Sequence, residues 1–154
     1  MKRDQLRFLA SDAWLLLAIV IAAGNTTADF KEIIAVGDDL NHSIFTRDEF
    51  ESGLYRLVNG GYIEEVDGDF KPTTTTSEAH KEIAKQARGF HKQMEAFREL
   101  IDAPPWEVGK VNLSVGNKFK YPGFKENSFQ EAVAYYQGNA SNVLRELRKK
   151  NPSI

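Results

Sequence analysis

A chain of 154 residues can bury one ordinary core, or the core of a small domain with an appendage, and 42% apolar with 27% charged residues is the composition of a folded globular protein. The absence of cysteine excludes disulfides, thiolate metal sites and cysteine nucleophiles, and is compatible with a reducing, cytoplasmic setting. A formal net charge of −2 says little by itself, so charge has to be read segment by segment.

Ala13 to Ala23 is an unbroken apolar run behind Lys2, Arg3 and Arg7. Asp4 and Asp12 interrupt the basic leader a signal peptide needs, and the run falls short of the about 20 residues that cross a bilayer. It is expected to be a buried core helix capped by Ser11 or Asp12, with no membrane contact. Gly24, Asn25 and Thr26 end it. Thr27 or Asp29 can cap a second helix whose Phe30, Ile33, Ile34 and Leu40 face inward, and Asp38-Asp39 reads as its solvated end. Ile44 and Phe45 then stand where a hydrophobic staple would.

Thr46 and Glu49 have the spacing of a capping box, and Phe50, Leu54, Leu57 and Val58 follow on one helical face. Gly60-Gly61 stops the helix. Tyr62 to Val66 has the β-branched and aromatic content of a strand, Asp67-Gly68 suits a tight turn, and Asp69 to Pro72 makes a short return strand whose proline belongs at an edge.

Helix, Gly-Gly, apolar strand, Asp-Gly turn, short strand and a threonine-rich start to another helix together resemble the winged helix-turn-helix superfamily, especially MarR- and PadR-like regulators, over roughly residues 10–102. The resemblance implies an α+β, mainly helical fold in which the helix after Thr46 reads the DNA major groove and the ribbon is the wing. Arg47, Ser52, Tyr55, Arg56 and Asn59, placed on the outer face of that helix, would then meet the groove, and Lys71 of the wing a phosphate.

Charge tests that implication. From Ser11 to Thr76 there are twelve acids against four bases, a net −8, and the wing tip is Asp67-Gly68-Asp69. Phosphate contacts need cations, whereas Asp48 and Glu51 repel the duplex. Two functions therefore stand side by side: a DNA-binding transcriptional regulator, or a winged-helix-derived protein-interaction module that does not bind DNA.

Thr75 and Glu78 repeat the capping-box spacing, and Ala79, Ile83, Ala87, Phe90, Met94, Phe97 and Ile101 step by threes and fours. One helix over 77–102 would be about 39 Å long, more than a compact winged helix covers. Its far end is expected either to form a homodimer, as the resemblance implies, or to be covered by the C-terminal segment. His80 and His91, three turns apart, are too far separated to share a metal.

Pro104-Pro105 closes the first unit, so the division falls at 1–102 and 103–154. Val111, Leu113 and Val115, then Phe119 and Tyr121, alternate with polar residues as a β-hairpin would. Helices are expected from Ser128 and from Ser141 to Lys149. Residues 111–154 carry seven bases against three acids, net +4. Lys118-Phe119-Lys120-Tyr121 can hold nucleic acid by charge and stacking, or be the wet and dry faces of one strand. A positive appendage can equally dock on the acidic first unit. No Gly-rich phosphate loop, nucleophile elbow or His-Glu-x-x-His pair occurs, so neither an enzyme, a cofactor nor a metal is expected.

Overall fold

The computed structural model describes residues 6–105, 118–152 and 154. Among them lie six helices and one two-stranded antiparallel hairpin, an α+β fold that is mainly helical. Helix α1, Ala10–Ala23, is apolar all the way round, and a helix with no polar face has nowhere to lie but the middle of the core. Residues 11–23 are all buried, and Leu15 to Ile19 expose nothing. The cap expected at Ser11 or Asp12 falls instead at Leu9, because Asp12 lies one turn in and its Oδ2 accepts the Leu9 N–H at 2.8 Å. No helix among the described residues is long and apolar enough to cross a membrane.

Helices α2, Phe30–Asn41, and α3, Arg47–Asn59, pack against α1. Both start as their capping residues dictate: Asp29 accepts from Glu32 N–H, and Thr46 from Glu49 N–H. Close approach decides how α2 meets the core. A Cβ on Gly37 would stand 2.3 Å from Phe45 Cε2, and without one Trp14 Nε1–H reaches the Gly37 carbonyl at 2.8 Å while its ring stacks on Phe45. Strands β1, Ile63–Val66, and β2, Asp69–Pro72, pair with Val66 opposite Asp69, so Asp67-Gly68 is a two-residue turn with positive φ at both positions. Ala28, between α1 and α2, exchanges both main-chain hydrogen bonds with Phe70 and so ties the hairpin to the helices.

The single helix expected over 77–102 is two helices, α4, Thr74–Gln86, and α5, Phe90–Leu100. The break falls at Ala87-Arg88-Gly89, and Gly89 has φ +87° and ψ 150°, a region that essentially only glycine occupies. A hydrogen bond between His80 and Gln93 (3.0 Å) joins the two helices across it. Part of the apolar face that called for cover is met within the chain, since α5 packs on α1 and buries Phe97 and Ile101, while Ile83, Phe90 and Met94 stay partly exposed.

In the C-terminal segment, the hairpin positions Val111, Leu113 and Val115 fall outside the described residues, and 118–121 belong to no strand. The two expected helices meet end to end in α6, Glu126–Lys150, whose backbone leaves helical geometry in a kink at Asn139, two residues before Ser141. Its apolar face lies along α2. Asp38, expected at a solvated helix end, accepts the Tyr136 hydroxyl at 2.7 Å, and Lys150 bonds to Glu32 (3.1 Å) and to the Thr27 carbonyl. Phe124 and Phe129 enter the aromatic cluster of Phe30, Phe45, Phe50 and Phe70, so residues beyond 102 share the core of those before it.

A candidate interaction groove between α3 and the hairpin

Helix α3 presents its first apolar face to α1 because Phe50, Leu54 and Leu57 repeat at helical spacing. A second strip, Asp48, Glu51, Ser52, Tyr55 and Arg56, turns toward β1 and β2 and toward residues 118–121, which lie over it. Arg56 forms the floor. Its Nε and Nη2 donate to Asp12 Oδ2 and Oδ1 at 2.7 and 3.0 Å, and neither side chain of the pair has any exposed surface. Gly53 permits this meeting, since a Cβ there would lie 3.1 Å from Asp12 Oδ1 and 2.5 Å from Leu15 Cδ2. Burial pushes the Asp12 carboxyl above its usual range, with the guanidinium pulling the other way.

Above Arg56 sits the Phe119 ring, 5.8 Å from the guanidinium carbon and stacked on Tyr55 with 4.6 Å between centroids and 10° between planes. Ser52 clasps the main chain of the same residue: its hydroxyl donates to the Phe119 carbonyl (3.3 Å) and accepts the Phe119 N–H (3.0 Å). Two residues on, the Tyr121 N–H donates to Glu51 Oε2 at 2.9 Å. The Tyr121 ring packs near Phe70 of β2, and its hydroxyl donates to Glu65 of β1 at 2.8 Å. Lys118 pairs with Asp48 at 3.5 Å. Contacts at alternate residues are those of an extended backbone lying in a groove, with helix α3 as one wall and the hairpin as the other.

The expected site residues thus part company. Ser52, Tyr55 and Arg56 come together, but not on an open face: Arg56 is fully buried and Ser52 nearly so. Arg47 is exposed at the mouth of the groove and pairs with Asp48 and Glu51 (3.4 and 3.2 Å). Asn59 lies at the end of α3 with its amide on the Tyr55 carbonyl, and Lys71 pairs with Glu64 across the hairpin at 3.3 Å. Sequence reasoning missed Asp12, Glu51 and Glu65 as partners. Asp12 left one signal, since an acid at the edge of an all-apolar run needs a buried cation somewhere. Among the described residues no group of three or more His, Cys, Asp or Glu is placed to hold a metal ion.

Tyr121 and Tyr136 both donate to carboxylates, and burial first, then those carboxylates, raise their phenol pKa values. The folded chain therefore keeps protons that an unfolded chain releases near pH 10. This stabilisation is complete below about pH 10 and is lost as pH climbs through the raised folded values. In an absorbance titration at the tyrosinate band, Tyr136→Phe and Tyr121→Phe should each remove a late-titrating phenol. An unchanged late phase in both would contradict the two hydrogen bonds.

No protein-family model, curated protein or solved structure matches the chain.

Proposed function

We propose that the chain is a winged-helix-type interaction module whose α3 engages polypeptide rather than duplex DNA. The observation that carries this reading is the clasp of Ser52 on the amide and carbonyl of Phe119: the strip of α3 that would face a DNA groove binds a peptide main chain. Charge points the same way. Asp48, Glu51 and Glu65 line the groove, while Arg47 and Lys71, the exposed cations of the expected DNA contact set, are paired with carboxylates.

The test is selection from a random duplex pool with the intact chain at about 50 mM salt, where phosphate contacts are strong. No retained duplex is expected. A retained duplex whose affinity falls steeply with salt would replace this reading with that of a DNA-binding regulator. In parallel, a protein captured by the intact chain should be lost with Tyr55→Ala and kept with Lys71→Ala; the reverse pattern would move the contact surface to the hairpin.

A further inference from the structure

We infer that the groove between α3 and the hairpin is a docking site for a partner segment of the pattern basic, aromatic, any residue, tyrosine, and that residues 118–121 fill it as an internal stand-in. The inference rests on the interaction-module reading and names the class of partner.

The groove reads a peptide in two ways. Ser52 and Glu51 bond to main-chain atoms of Phe119 and Tyr121, which any sequence except proline at those positions supplies. Side chains then choose among sequences: Tyr55 and the buried Arg56 offer a flat platform for one ring, Phe70 and Glu65 an apolar wall and an acceptor for a tyrosine two residues later. Asp48 favours a cation just before the first ring. This is a charge-complementary seat for Lys-Phe-Lys-Tyr.

The occupant is held only at the surface. Phe119 and Tyr121 remain partly exposed, and Lys118 and Lys120 are exposed, whereas Arg56 beneath them is fully buried and fixed by its pair with Asp12, with Tyr55 half-buried beside it. Lifting the segment would uncover a ready-made seat rather than dismantle the core. Being tethered, it competes with any outside peptide at an effective concentration of the order of millimolar, so the intact chain should bind such a peptide weakly and a chain with a weakened segment strongly.

A fluorescein-labelled peptide with the sequence of residues 118–123 is titrated with the full chain and with Phe119→Ala/Tyr121→Ala, following anisotropy. The double variant should saturate at a concentration about tenfold or more below that for the intact chain. Adding Tyr55→Ala should undo the gain, and a peptide with both aromatics changed to serine should not bind. Should the double variant not fold by circular dichroism, Lys118→Glu loosens the segment through Asp48 alone and is expected to give a smaller gain of the same sign. A flat titration with a folded loosened chain would overturn the inference, as would an intact chain that dimerises by exchanging residues 118–121 while rejecting the peptide. Failure of the module reading has a different signature, salt-dependent retention of duplex, which the peptide titration does not touch.

Discussion

Asp12→Ala should lower the unfolding free energy by about 3–5 kcal/mol, because it leaves the Arg56 guanidinium buried with its bidentate carboxylate gone. Few other single changes should cost as much. Arg56→Ala should cost a similar amount for the converse reason, and Arg56→Lys should recover little, since an ammonium cannot reproduce two parallel N–H donors at 2.7 and 3.0 Å. The revealing variant is the double one. Asp12→Leu with Arg56→Met removes both charges and keeps most of the volume, and replacing a buried pair by apolar groups is often neutral or better. Urea denaturation of the unmodified chain, Asp12→Leu, Arg56→Met and the double variant closes a double-mutant cycle. If Asp12→Ala costs under about 1 kcal/mol, as surface pairs do, the two side chains are not buried against each other. Introduced into the Phe119→Ala/Tyr121→Ala chain, the same pair replacement should also weaken binding of the labelled peptide, since the platform loses its cation.

Phe50→Ala should cost about 3–5 kcal/mol, the range for emptying a buried aromatic site. Its ring meets Phe30, Phe45, Phe124 and Phe129 with centroids 5.0 to 6.4 Å apart, and so lies where α2, α3 and the start of α6 converge. The distribution of the loss matters as much as its size. Because that cluster joins residues on both sides of position 102, hydrogen exchange should show α6 and α3 losing protection together, in one cooperative transition. Two separate transitions, with α6 melting first in the unmodified chain, would mean that residues 126–150 do not share the core.

Legibility in this chain followed the range of the interactions. The cap at Asp29, one of two residues the sequence offered, the capping box at Thr46, the Asp-Gly turn and the all-apolar run toward the N-terminus act within four residues or along one helix, and the structure places each there. The break at Gly89 shows how a local rule misleads. Apolar residues keep helical phase from Ala79 to Ile101, so periodicity sees one rod, but α5 can fold back on α1 only if the backbone reverses, and a glycine out of helical φ supplies the reversal.

Residue types and their spacing by themselves determined the class of elements, the buried first helix and the capped start of α3, because propensity, capping and amphipathicity are properties of neighbouring residues. Only the tertiary structure decided what the outer strip of α3 meets. Asp12 lies 44 positions from Arg56 and Phe119 lies 67 from Ser52. Whether an arginine on a helix faces water, a phosphate or a buried carboxylate depends on which distant segment covers it, and no periodicity within the helix encodes that.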